Sequence, residues 1–234
     1  MNIIVTGASR GIGYELVRKF ASYPEHHVLA VSRNKENLLK LQDECRKTKP
    51  DSKVSILPFD LANNDLQKEF LPEMLRHFKQ VDVLVNNAGL LIHKSIDSIT
   101  PVDFDNLFNT NVKSAFFLVQ HLLPYFSHYS HIVNISSMGG FQGSAKFPGL
   151  SLYSASKGAM AVLTECLAEE LKDKKVKVNC LAIGAVQTEM LATAFPGYEA
   201  PLGSSEMAAF IYSFATTGHR YFNGKILPVA LSTP

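Results

Sequence analysis

The chain has no tryptophan, only three cysteines, and no strong excess of either charge among its 234 residues. Its 23 Lys and Arg against 21 Asp and Glu leave a formal net charge of +2. Such a balance makes a poor footprint for a polyanion, so no nucleic-acid partner is expected. The densest basic run is Lys172, Lys174, Lys175 and Lys177, with no aromatics interleaved. It reads as the solvated end of a helix, where cations meet the negative end of the dipole. Cys45, Cys166 and Cys180 are odd in number and widely spaced, which predicts buried free thiols rather than disulfides or a metal site. No apolar run reaches the ~18 residues that span a bilayer, so no membrane partner is expected. The opening MNIIVTG lacks the basic stretch, long apolar core and cleavage site of a secretory signal, which makes the cytoplasm the default expectation. Repeats and linkers rich in Pro, Gly or Ser are missing as well, so residues 1–234 read as a single domain.

What is present is an alternation. Short β-branched runs at 3–6, 28–32, 54–58, 81–86, 132–136, 176–181 and 226–229 are mostly continuous in their apolar residues. That suits strands covered on both faces. Between them lie helical stretches: Ile12, Leu16 and Phe20 form one stripe, Leu38, Leu39 and Leu41 a second, and Leu66, Phe70, Met74, Leu75 and Phe78 a third. Longer helices are expected over 102–122 and 151–172. Strand–helix alternation of this kind predicts an α/β, single-domain, doubly wound Rossmann fold, with a mostly seven-stranded parallel sheet flanked by helices on both faces. Ligands of such sheets sit beyond the carboxyl ends of the strands.

The first strand runs into Thr6-Gly7-Ala8-Ser9-Arg10-Gly11-Ile12-Gly13. Glycines there allow a tight turn and close approach of a pyrophosphate, which the amides of a helix N-terminus bind. The spacing is Gly-xxx-Gly-x-Gly, so the general dinucleotide fingerprint is not matched literally. Its place between first strand and first helix carries the reading. An NAD site needs an acid about 20 residues on, at the end of the second strand. Ser32-Arg33 stand there, and Arg10 lies in the loop, so cations face the position of a 2′-phosphate and NADP(H) is favoured over NAD(H).

Tyr153-Ser154-Ala155-Ser156-Lys157 places a phenol and an ammonium at i and i+4 of a helix. A phenol of pKa ~10 is a weak proton donor or acceptor near neutrality. Lowering it by roughly three units takes about 4 kcal/mol, which a neighbouring ammonium is expected to supply.

Together with Asn86-Asn87-Ala88-Gly89, Asn111, Asp60, Ser136-Ser137 and Thr188, this set resembles the short-chain dehydrogenase/reductase family in its common single-domain form. The resemblance covers nearly the whole chain. It implies an NADP(H)-dependent oxidoreductase that reduces a ketone or aldehyde to an alcohol, or runs the reverse, by direct hydride transfer without a metal. Tyr153 would be the general acid, Lys157 would hold the ribose hydroxyls, and Ser137 would stabilise the developing alkoxide. Asn111 would anchor a water in the proton relay. The implied cofactor site comprises Gly7, Ser9, Arg10, Gly11, Ile12, Gly13, Ser32, Arg33, Asp60, Leu61, Asn87, Ala88, Gly89, Tyr153, Lys157, Gly184, Val186 and Thr188. Asn86 would line the adenosine ribose, and Asp60 would reach the adenine while turning the chain. A homodimer or homotetramer is implied too. From another class, the alternative is a non-catalytic NADP-binding regulator or scaffold.

Three departures from the family pattern stand out. Ile183-Gly184 replaces the usual Pro-Gly, which predicts a looser turn. Tyr153 follows Ser137 at a longer spacing than usual, with Gly139, Gly140 and Gly143 in the loop. The closing segment 228–234 lacks the family's acidic-glycine tail. Residues 189–203 read as a short substrate lid, and Phe141, Phe147, Leu191, Phe195 and Tyr198 as an apolar lining beside it. His93, soon after Gly89, reads as a surface or structural residue.

Overall fold

In this computed structural model, residues 1–231 are described; Ser232, Thr233 and Pro234 of the closing segment lie outside the described residues. Seven strands form one sheet: β1 (Asn2–Thr6), β2 (His27–Ser32), β3 (Lys53–Pro58), β4 (Val81–Asn86), β5 (Phe126–Ser137), β6 (Lys177–Ile183) and, last in the chain, the strand Ile226–Val229, called β9 below. Their order is β3-β2-β1-β4-β5-β6-β9, and every pair is parallel. The order reverses direction between β1 and β4, which opens a crevice over their carboxyl ends.

The apolar runs are continuous because both faces are covered. Ile3 and Val5 pack into one core layer and Ile4 into the other, as the two-residue period of a strand requires. On the first face lie α1 (Gly11–Ala21), α2 (Lys35–Thr48) and, near the end of the chain, the helix Ser204–Thr217 (α8). On the second lie α3 (Leu71–His77), α5 (Ser114–Leu122) and α6 (Ser151–Glu170), with α4 (Pro101–Phe108) packed against α6. Each fully buried Leu or Ile of these layers contributes roughly 1.5–3 kcal/mol. Among the described residues no helix is long and apolar enough to cross a membrane.

Several expectations need correcting. Leu39 is exposed, because only Leu38 and Leu41 of its run fall on the buried stripe of α2. The expected helix over 102–122 is two helices joined by a π turn, Asn109–Lys113. α6 ends at Glu170, so Lys172, Lys174 and Lys175 occupy the following turn and Lys177 opens β6. Cys45 and Cys180 are buried, whereas Cys166 is exposed on the outer face of α6, one helical turn from the exposed Val162. Sequence reading also missed a two-stranded pair, β7 (Val186–Gln187) with β8 (Leu202–Gly203), which brackets a short helix α7 (Glu189–Ala194).

Candidate active site

A cavity of about 530 Å³ lies over the carboxyl ends of the strands. That is the size of an ordinary small-molecule site. One end is the glycine-rich turn after β1, where Gly7 and Gly11 take positive φ of 68° and 57°. Gly13 lies beneath the turn rather than on the cavity wall; a Cβ there would overlap the Gly7 carbonyl oxygen. The turn is braced from β4. Asn87 donates through Nδ2 to the Thr6 and Gly7 carbonyls at 3.0 and 3.3 Å, and the amides of Asn87 and Ala88 both donate to Thr6 Oγ1 at 3.0 Å. The Asn87 side chain thus holds the turn's shape, and the start of α1 is left facing the cavity with its amides.

At the end of β2, Ser32 Oγ donates to Ser9 Oγ at 2.8 Å, joining strand to loop. Arg10 and Arg33 are exposed at this rim and, among the described residues, neither forms an ion pair. Asp60, a carboxylate on the same cavity wall, accepts from the Ala62 amide and from Asn63 Nδ2, both at 3.0 Å. It turns the chain after β3 while lining the cavity beside Leu61.

Asn86 does not reach the cavity. It is buried and donates to Asn134 Oδ1 at 2.8 Å; Asn134 donates on to Thr164 Oγ1 at 2.9 Å, and Thr164 to the Met160 carbonyl at 2.8 Å. This chain of buried hydrogen bonds ties β4 and β5 to α6, the helix that carries Tyr153 and Lys157. Sequence reading missed Asn134 and Thr164; the one available signal was a polar residue inside the apolar run of β5.

Tyr153, Lys157 and Ser137 all line the cavity. The hydroxyl of the preceding Ser136 is buried and donates to the Lys157 carbonyl at 2.8 Å. Alternation along β5 therefore leaves Ser137 facing the opening, where its Oγ accepts from the Gly139 amide at 3.1 Å. Lys157 is buried and its Nζ donates to the Ile135 carbonyl at 2.9 Å, standing 5.9 Å from the centre of the Tyr153 ring. Desolvation pushes the ammonium down from 10.5 to about 8, against a smaller opposing effect of Cys180. Enclosure pushes the Tyr153 phenol up, and the Ser137 hydroxyl beside it draws it partly back. This differs from the expected depression by Lys157: the ammonium is held by the strand carbonyl, not by the phenol.

Asn111 does not line the cavity either. The π turn carries it inward, where it is 1% exposed and binds the main chain of Leu90 and the Ser156 hydroxyl. Both ends of its amide are therefore engaged by protein groups. Gly184, Val186 and Thr188 line the cavity beside the end of β6. The turn at Ile183-Gly184 is not loose: the Gly184 amide donates to the Val229 carbonyl at 2.9 Å, tying it to β9. Thr188 also caps α7, accepting from the Leu191 amide at 3.1 Å.

Beyond Tyr153 the wall is apolar. Phe147, Leu191, Phe195 and Tyr198 line it as expected and Phe141 does not, whereas Leu90 and Met190 had not been singled out. Gly140 lies against α6 so closely that a Cβ would come 2.5 Å from Lys157 C and Gly158 N. The loop after β5 is therefore pinned to the helix at Gly140, while Gln142, Gly143 and residues 145–148 are exposed at the surface.

Residues 1–199 match the short chain dehydrogenase family. The chain is 30% identical to the NADPH-dependent aldehyde reductase 1, chloroplastic, of Arabidopsis thaliana, with 96% of this chain and 83% of that protein covered. A chain from Escherichia coli solved with NADPH superposes with a TM-score of 0.86 at 27% identity, covering 97% of this chain and 95% of its own. A 3-ketoacyl-(acyl-carrier-protein) reductase from Brucella melitensis solved with NADH superposes with a TM-score of 0.84 at 25% identity, covering 98% and 96%.

Proposed function

The chain belongs to the short-chain dehydrogenase family of oxidoreductases, and on that footing we propose that it is an NADP(H)-dependent enzyme interconverting a small-molecule carbonyl and its alcohol, with Tyr153 as general acid and base. The residues present fit a dinucleotide: the Gly7–Gly13 crossing leaves no room for a Cβ, and the start of α1 faces the cavity. Bound there, the nicotinamide supplies the hydride.

This chain's residues do the rest. Ser137 Oγ hydrogen-bonds the substrate oxygen as negative charge develops on it. Tyr153 donates its phenolic proton to that oxygen and takes it back in the reverse direction. The Lys157 ammonium, anchored on the Ile135 carbonyl, holds the ribose hydroxyls. Phe147, Leu191 and Phe195 exclude water from the apolar side. NADP(H) is preferred because Arg10 and Arg33 are unpaired cations at the rim while Asp60 is engaged in its own turn. The aldehyde reductase named above supports that choice, and the NADH complex of another neighbour leaves it resting on these two arginines.

The observation that carries the reading is the convergence of Ser137, Tyr153 and Lys157 on one cavity whose far end is the glycine-rich turn. A panel of aldehydes, ketones and alcohols, run with NADPH and NADH, tests it. Tyr153→Phe should lower turnover by about 10²–10⁴ while NADPH binding persists. Unchanged turnover removes Tyr153 from the chemistry. Tight NADPH binding with no turnover of any substrate points to a regulator or scaffold instead.

A further inference from the structure

The segment between β6 and α8 is closed at its base and free along its length. At the base, Val186 pairs with Leu202 and Gln187 with Gly203, Ser204 Oγ donates to the Gln187 carbonyl at 2.6 Å, and the Ala200 amide donates to Gln187 Oε1 at 2.9 Å. Between these ends, α7 and the turn after it bring Leu191 and Phe195 to the apolar wall of the cavity. Among the described residues one hydrogen-bonding side chain bridges from this segment to the opposite wall. It is His93, whose Nδ1 lies 3.0 Å from the Ala194 carbonyl and whose Nε2 lies 3.3 Å from the Pro148 carbonyl.

The opposite wall is built to receive that ring. The Lys94 amide donates to the Gly149 carbonyl at 3.0 Å, which fixes the segment carrying His93 beside the Pro148–Gly149 turn. Gly149 has a positive φ of 79°, and a Cβ on it would overlap His93 Cδ2 and Nε2. The ring also lies 4.9 Å, centre to centre, from Phe195. Both partners of the ring are carbonyl oxygens, which only accept. A neutral imidazole has one N–H, so one of the two contacts then sets a nitrogen lone pair against an oxygen; an imidazolium donates to both.

We propose that His93 is a positioning residue that clasps the 186–203 segment to the Pro148 wall, closing the apolar side of the cavity. The role in turnover rests on the carbonyl-reductase reading above; the clasp itself does not. The charged groups carried by the packed elements leave the ring's partners unchanged. Lys94 is paired with Asp103 at 2.8 Å, and Lys146 donates to the Phe141 and Ser144 carbonyls. On the segment itself, Glu189 lies at the start of α7, and Tyr198 and Glu199 lie beyond its end; the ring nitrogens contact only the two carbonyls.

Hydrogen exchange of the amides at 190–195 tests the clasp without any substrate. Relative to the native protein, His93→Ala and His93→Phe should exchange about threefold to tenfold faster, the span of one hydrogen bond, the second keeping a ring beside Phe195. His93→Gln, which restores an N–H donor, should recover part of the protection. In turnover, KM for the carbonyl substrate should rise by a similar factor in the Ala and Phe variants, with kcat and NADPH affinity unchanged. Exchange that is identical in native protein and variants overturns the clasp, and so does a rise spread evenly over all amides. If no carbonyl is reduced but exchange behaves as stated, the catalytic reading fails and the clasp stands.

Discussion

Asn111 and Leu90 close a ring of two hydrogen bonds: the Leu90 amide donates to Asn111 Oδ1 at 2.7 Å, and Asn111 Nδ2 donates to the Leu90 carbonyl at 2.9 Å. The same Nδ2 donates to Ser156 Oγ at 2.9 Å, and Ser156 Oγ donates to the Tyr153 carbonyl at 2.7 Å. One side chain thereby joins the loop after β4 to the first turn of α6. Asn111→Leu keeps the volume and leaves both Leu90 groups without partners, a cost of about 1–3 kcal/mol. The melting temperature should fall by roughly 2–4 °C for each kcal/mol in a chain of this size, and turnover should fall with it as Tyr153 loses its brace. Thermal unfolding and kinetics on the same sample decide this; no change in either would mean that the ring is dispensable.

Lys157 predicts a slope in stability with pH. Its pKa falls from 10.5 unfolded to about 8 folded, because burial disfavours the charge. Between these values the unfolded chain binds the proton that the folded chain has lost, so stability gains with rising pH. Below about pH 8 the buried ammonium costs roughly 3 kcal/mol, and that cost fades toward pH 10.5. Denaturant unfolding of native protein and Lys157→Met should therefore differ by an amount that shifts in favour of the native protein across this window. A constant difference would show that Lys157 is not desolvated as placed.

Arg10 and Arg33 set the third prediction. Losing one charged hydrogen-bond partner of a 2′-phosphate costs about 1.5–3 kcal/mol, or roughly 10–100-fold in affinity. Arg33→Ala should weaken NADPH binding by that factor and leave NADH binding alone. Equal loss for both nucleotides would assign the arginine to the shared part of the site and remove the argument for NADP(H).

Gly140 gives a test remote from any titrating group. A Cβ 2.5 Å from Lys157 C and Gly158 N forces the loop or the helix to move. Displacing Lys157 and Tyr153 by an ångström can lower turnover by about 10²-fold. Gly140→Ala should reduce kcat by a comparable factor while the cofactor's adenine end, far along the cavity, binds as before. Retained kcat would show that the contact yields without disturbing α6.

Much of the fold was readable along the chain. The apolar runs of β1, β2 and β4 and the stripe of α1 follow from the two-residue and 3.6-residue periods, which are local. The glycine-rich turn was readable because a tight strand-to-helix passage needs glycine at fixed offsets. Leu39 was misplaced because periodicity gives a stripe its width but not its edges, and Cys166 because cysteine number and spacing speak to pairing, not to which face of a helix a thiol occupies. The buried chain Asn86–Asn134–Thr164 went unseen for a different reason: its members are 48 and 30 residues apart, and nothing short-range marks them as partners.

Tyr153 and Lys157 show where the two kinds of information divide. Their shared helix face is a consequence of i, i+4 spacing, so residue order alone dictated it. Which carbonyl holds the ammonium, that burial raises the phenol instead of lowering it, and that His93 meets two acceptors across a cavity were decided only when distant segments packed. Hydrogen-bond partners and desolvation depend on what surrounds a group in space, and at those separations chain position carries no record of it.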